Sequence, residues 1–341
     1  MVHRILACRA CRGPASTRAL GTRDTLIFGE PSGHVVKSRL EVRIRPARPR
    51  DFVACARLCL ASLTDLSRRQ GQRPPSFPVR DLLPFLRHAL ATDPDGFHVA
   101  VVRGRIVCYA ITILRGKTHF LAQFFGRPGM QSRGVGRQVL TRAFDAPRPP
   151  RGAVRCVVAS LDLRAQALYA KFGMLPRTIL YHVEGKPTES TVRGLELRQV
   201  GPTGTSTTRA RDLAARFDRP LREARRDVDQ RHFLTAVKGS RCFEARAGRK
   251  TLGYVVIQGN GAIGPGGVLD PSLSAALMSA AIAKAHEIGM KTVSAWVPGL
   301  NEGALTAAFE AGLKIEFLTA WMAARDILRL ESYLPSGGVL F

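Results

Sequence analysis

From residue 41 onward, apolar and polar positions fall into short alternating runs and helical repeats whose order predicts β-α-α-β-β-β-α-β-α-β. Glu41-Val42-Arg43-Ile44-Arg45 alternates as a half-buried strand does, and Pro46 ends it. Arg50 to Leu66 carries Phe52, Ala56, Cys59, Leu60 and Leu63 at helical spacing, and Val79 to Leu90 repeats the pattern through Leu82, Leu83, Leu86 and Leu90. The polar, Pro-rich stretch from Arg68 to Pro78 between them reads as loop. Phe97–Val102 and Ile106–Leu114 flank the turn Arg103-Gly104-Arg105, which predicts a hairpin, and Thr118–Phe125 predicts a further strand. A helix is expected from about Gly134 to Phe144, a strand over Ala153–Ser160, a helix over Arg164–Phe172 and a strand over Ile179–Val183.

A second unit restarts at Leu195-Glu196-Leu197-Arg198, which alternates like Val42-Arg43-Ile44-Arg45. Gly248 followed by Leu252–Ile257 repeats the hairpin around Gly104, with Tyr254 corresponding to Tyr109. An Ala-rich helix over Leu273–Ile288, a strand over Thr292–Val297 and a helix over Gly303–Ala311 complete the copy. The expected organisation is an N-terminal extension over residues 1–40, one domain over 41–192, a second over 193–329 and a C-terminal tail over 330–341. Residues 1–40 are Arg-rich like a transit peptide, but Gly13, Pro14 and Gly21 interrupt any amphipathic helix, so a disordered or wrongly included extension is expected.

Composition changes this picture in three places. The formal net charge of +26 invites a nucleic-acid reading, but 43 of the 52 basic residues are Arg, scattered in ones and twos without interleaved aromatics, so nucleic acid is not the expected partner. The excess is greatest in residues 41–192, at +15, where an anionic ligand would be placed. Seven scattered cysteines fit a reducing cytoplasm, and the lone Cys8-x-x-Cys11 lacks partner ligands at zinc spacing, so no metal is expected. No apolar run is long enough to predict a membrane span.

The stretch that carries chemistry is Phe120-Leu-Ala-Gln-Phe-Phe-Gly-Arg-Pro-Gly-Met-Gln-Ser-Arg-Gly-Val-Gly-Arg-Gln-Val-Leu140, a strand running through a loop into a helix. A pyrophosphate needs backbone N–H groups converging at a helix start, and residues without side chains let it approach. Gly134 and Gly136 offer that room, and Arg133 and Arg137 add positive charge. A tight turn into a helix gives the same letters, so this alone leaves a packing role open.

Gln131-Ser132-Arg133-Gly134-Val135-Gly136 resembles the Gln/Arg-x-x-Gly-x-Gly motif of the GNAT acetyltransferases, and Asp162-Leu-Arg-Ala-Gln-Ala-Leu-Tyr-Ala-Lys-Phe-Gly-Met174 resembles their Asn-x-x-Ala-x-x-Leu-Tyr-x-x-x-Gly-Phe segment. Ala165, Leu168, Tyr169 and Gly173 match, whereas Asp162 and Met174 replace Asn and Phe. The resemblance covers residues 41–183. It implies an α/β (α+β) fold of two tandem domains, each a central mixed, mainly antiparallel sheet flanked by helices. It also implies acetyl-CoA as co-substrate, held by Gln131–Arg137, by Asp162 and by the backbone of Phe124 and Phe125, with Tyr169 as general acid. A core tyrosine satisfied locally is the alternative for Tyr169. The general base is open: Gln123 aligns with a carboxylate of some members and could position a water, and His119 is a weaker candidate.

In the second half Asn301-Glu-Gly-Ala304-Leu-Thr-Ala-Ala308-Phe-Glu-Ala-Gly312 aligns with the tyrosine segment at a constant offset of 139 residues, placing Ala308 at the Tyr169 position. Its phosphate-loop counterpart, Gly264 to Pro271, brings Asp270 and two prolines, so this half is expected not to use acetyl-CoA. The expected function is acetyl transfer to a small-molecule or peptide primary amine in a cytoplasmic monomer or homodimer. Alternatives are a non-catalytic acyl-CoA sensor and a nucleic-acid-associated basic protein.

Overall fold

The computed structural model describes residues 41–130, 134–189 and 194–340. The extension expected over residues 1–40 lies outside them, as do Gln131, Ser132 and Arg133. The first half runs β1 (Arg43–Pro46), α1 (Phe52–Arg69), α2 (Leu83–Thr92), β2 (Phe97–Val102), β3 (Arg105–Arg115), β4 (Thr118–Gly126), α3 (Val135–Asp145), β5 (Val154–Ala159), α4 (Leu163–Ala170) and β6 (Leu175–Gly185). The second runs β7 (Glu196–Gln199), α5 (Thr208–Arg222), α6 (Asp227–Thr235), β8 (Arg241–Ala247), β9 (Lys250–Ile257), β10 (Ala262–Val268), α7 (Ser274–Glu287), β11 (Val293–Pro298), α8 (Glu302–Glu310), β12 (Lys314–Ala323) and β13 (Tyr333–Leu334).

The element order of the first half is the expected one, with shifted ends. The helix expected from Val79 begins as a 3-10 turn, Val79–Leu82, and turns α-helical only at Leu83, next to Pro84. The Gly264–Val268 run, expected as a loop, is the body of strand β10. The C-terminal tail expected over 330–341 contains β13, which pairs with β10.

All described strands join one sheet in the order β1-β2-β3-β4-β5-β12-β6-β11-β10-β9-β8-β7, with β13 beside β10. The two halves exchange their last long strands: β12 pairs with β5, and β6 pairs with β11. At the centre β6 and β12 are antiparallel, and Leu180↔Thr319 are repeat-equivalent residues facing each other. The flanking pairs mirror one another about that point: Tyr181↔Leu318 answers Ile179↔Ala320, and His182↔Phe317 answers Thr178↔Trp321. The register breaks between Ile315 and Phe317 and between Trp321 and Met322 are likewise related, so the sheet carries a pseudo-two-fold axis through this pair.

Helices cover both faces because the sheet is apolar on both. On one face α1, α2, α5 and α6 contribute to a single core shared by the two halves, including Phe52, Leu86, Phe217, Phe233 and Trp321. On the other, α3 and α4 pack on the first half, and α7 and α8 on the second, each over its own cluster. Ionic contacts also cross between the halves: Arg115, which also donates to Asp93 of its own half at 2.9 Å, donates to Asp229 at 2.8 Å, and His88 bonds Asp229 at 2.8 Å. Burial opposes ionisation of Asp229, but His88 and Arg115 hold its carboxyl well below the usual range.

Candidate active site

Strands β4 and β5 are parallel and pair only from Thr118↔Val154 to Leu121↔Val157. Beyond that point β4 continues to Gly126 and β5 to Ala159 without pairing each other, so a wedge opens between them. Its β4 wall is Gln123, Phe124 and Phe125, which pair with β3 on their other side. Side-chain alternation sends Phe124 toward α3 and α4, whereas Gln123 and Phe125 face α1. Across the mouth, the end of α1 is tied to the β5–α4 loop: Arg69 donates to Asp162 at 3.1 Å, and Gln70 donates to the Leu161 carbonyl at 3.3 Å.

Helix α3 starts at the mouth of this wedge. Gly134 is its N-cap at φ +78, a left-handed conformation that glycine adopts without strain, and among the described residues no side chain caps the first turn. A helix start whose N–H groups have no internal partner attracts anions. The two glycines have different jobs. Among the described residues a Cβ on Gly134 would meet nothing within 4 Å; one on Gly136 would lie 2.9 Å from Cζ of Phe124. Gly136 therefore serves the close packing of α3 on β4, and Gly134 the approach to the helix start. Val135 is buried against the sheet, and Arg137 is exposed on the outer side of the first turn.

Tyr169 stands on α4 with 6% exposure, its ring edge-on to Phe124 at 6.2 Å between centroids. Among the described residues its hydroxyl has no hydrogen-bond partner, and burial, reinforced by the Asp162 charge, raises its pKa so that it stays protonated.

Gln123 is buried, and its Oε1 accepts a hydrogen bond from the Tyr109 hydroxyl at 2.8 Å. Its amide nitrogen has no such bond among the described residues, so it can donate to a ligand but accept no proton. Tyr109, which fixes the Gln123 side chain, was not singled out in the sequence as a candidate; its equivalence to Tyr254 was the available signal.

His119, a base candidate, is fully buried at the closed end of the β4–β5 ladder, edge-on to Phe144. Burial, aided by Arg155, pushes its pKa down to about 4, so the ring is neutral at physiological pH. Asp162, expected to bind cofactor, caps α4 by accepting from the Arg164 backbone at 3.0 Å and pairs with the Arg164 and Arg69 side chains. Despite the cost of burial, the Arg164 and Arg69 hydrogen bonds hold its carboxyl below the ordinary range. Gln131, Ser132 and Arg133 lie outside the described residues.

Among the described residues no group of three or more His, Cys, Asp or Glu is placed to hold a metal, and no helix is long and apolar enough to cross a membrane. Residues 60–174 match the family model described as acetyltransferase (GNAT). Among solved structures, a candidate acetyltransferase from Pyrococcus horikoshii aligns with TM-score 0.69 at 17% identity, over 91% of this chain and all of that one (100%). A GCN5-related N-acetyltransferase from Sphaerobacter thermophilus aligns with TM-score 0.57 at 17% identity over 85% of this chain and 98% of its own. A tandem GNAT protein from the clavulanic acid biosynthesis pathway aligns with TM-score 0.50 at 18% identity over 84% and 99%. At these identities the likeness is one of fold. Among curated proteins none matches the chain.

Proposed function

We propose that this chain, a GNAT acetyltransferase by its match over residues 60–174 and its tandem fold, uses one acetyl-CoA in its first half to acetylate a primary amine directly, within a ternary complex. The observation that carries the reading is the meeting of three features at one wedge: a helix start at Gly134 and a protonated tyrosine whose hydroxyl has no partner, both among the described residues, and a β4 edge at Phe124–Phe125 left open on its β5 side.

Acetyl-CoA supplies the activated thioester. The first turn of α3 would receive its pyrophosphate, and the free backbone edge of β4 would hold the pantetheine arm and orient the carbonyl. Tyr169 holds a proton for the departing sulfur. Gln123, fixed by Tyr109, presents its amide N–H on the α1 side of the strand, where it orients the acceptor or a water. With no carboxylate base at Gln123 and His119 buried, the amine must arrive deprotonated, and positioning supplies much of the rate.

The test is thiol release from acetyl-CoA across small amines, amino acids, aminoglycosides and Lys peptides, with calorimetry of CoA binding. At least one acceptor should turn over, and Tyr169→Phe should lower kcat by roughly 100-fold without changing the Kd for CoA. No turnover with any acceptor and no CoA binding would sink the proposal.

A further inference from the structure

The second half has its own wedge. Strands β10 and β11 pair only at Ala262↔Ser294 and Ile263↔Ala295 and then part, as β4 and β5 do. This wedge is filled by the chain itself. Residues 331–340 enter at the start of α7, where the Ser274 hydroxyl donates to the Glu331 carbonyl at 3.1 Å. They run antiparallel along β10: Val268 N–H donates to the Ser332 carbonyl at 3.1 Å, and Tyr333 and Leu334 pair with Gly267 and Gly266. Deeper in, Gln258 Nε2 donates to the Ser336 carbonyl at 3.3 Å, and a Cβ on Gly338 would touch the Trp296 ring of β11 at 3.3 Å.

The wedge is shaped for this occupant. A Cβ on Gly264 would lie 2.2 Å from the Pro335 carbonyl oxygen, and one on Gly267 would lie 2.9 Å from that of Ser332. The Gly264-Pro-Gly-Gly267 run thus lets another backbone lie against β10. Tyr333 is the anchor: fully buried, its hydroxyl accepts from Arg222 at 2.9 Å and from Arg226, which is itself paired with Asp218. Leu334 and Leu340 are buried with it. At the mouth, Asp270 accepts from Ser272 N–H at 3.0 Å, placing a carboxylate where a phosphate would approach.

We propose that the second wedge is a strand-binding site whose resident ligand is residues 331–340, and that this occupant, following from helix start to wedge interior the path assigned to pantetheine in the first half, excludes a second acyl-CoA. The inference rests on the acetyl-CoA reading of the first wedge. Pantetheine and peptide compete for the same backbone edge, and a tethered strand competes at high effective concentration. The strand is consequently a permanent element that does not exchange with cofactor.

The full chain, titrated with CoA alone, should bind one equivalent by native mass spectrometry, and hydrogen exchange of peptides covering 262–268 and 331–340 should be slow and unchanged at saturation. A second bound CoA, or faster exchange of 331–340 on adding CoA, would overturn the proposal. Absence of any CoA binding would instead remove the first-half reading, while the exchange of 331–340 still reports on the strand. Tyr333→Ala should speed exchange of both peptides at least tenfold and leave CoA affinity within twofold. Should that variant fail to fold, Tyr333→Phe, which removes only the hydroxyl, should speed exchange severalfold, and unchanged exchange there would refute Tyr333 as the anchor.

Discussion

Burial decides what a lone histidine does, and His119 shows how. Both its ring nitrogens lack hydrogen bonds among the described residues, and its pKa of about 4 keeps it neutral in the folded state. A free histidine titrates near 6.5, so between about pH 6.5 and 4 the unfolded chain binds a proton that the folded chain refuses. Stability is then intact above pH 6.5 and falls as the medium becomes more acid, by about 2 kcal/mol from this residue at pH 5. Denaturant unfolding at pH 7.5 and pH 5 checks this: His119→Leu should shrink the difference between the two by about that amount. The same variant should leave the pH profile of kcat unmoved, and loss of the acidic limb would restore His119 as the base.

At the scale of elements, helix α3 and strand β4 owe their close approach to Gly136, since a methyl group there would sit 2.9 Å from the Phe124 ring. Ala would favour the helix by about 1 kcal/mol, but overpacking costs about 1–3 kcal/mol, and the ring cannot retreat freely because Tyr169 lies at its edge. Gly136→Ala should therefore lower Tm by a few degrees and weaken CoA binding, and adding Phe124→Leu should recover the stability; additive losses in the double variant would show that the two positions do not touch. The glycine motif was legible in sequence, but not this division of labour, because the spacing of Gly134 and Gly136 is the same whichever of them faces solvent. Helices α5 and α6 escaped the reading although Thr207 caps α5 and Ala210, Ala214, Phe217 and Leu221 form its buried stripe. Arginines fill the positions between, and Pro220 near the end disguises the repeat.

For the whole molecule, the repeat was legible at its constant offset, but the exchange of β6 and β12 was not. Alternation tells which face of a strand is buried and is silent on its neighbour. That exchange has a mechanical consequence. Without the second half, strand β5 would present an unpaired edge, and β6 would lose both partners, β11 and β12. Removing the second half would also uncover the shared core at Phe120, which stacks on Trp321, and leave Arg115 without Asp229 in a site only 12% exposed. Breaking such a buried pair alone costs about 3–5 kcal/mol, comparable to the whole stability of many domains. The chain should therefore unfold in one cooperative transition by calorimetry and by circular dichroism, although its sequence reads as two copies. A fragment of residues 41–189 should be insoluble or unfolded alone, yet form a stable complex when co-expressed with residues 194–341, because the exchanged strands carry the recognition. Two separate transitions, or a soluble and folded fragment alone, would show that each half closes its own sheet in solution.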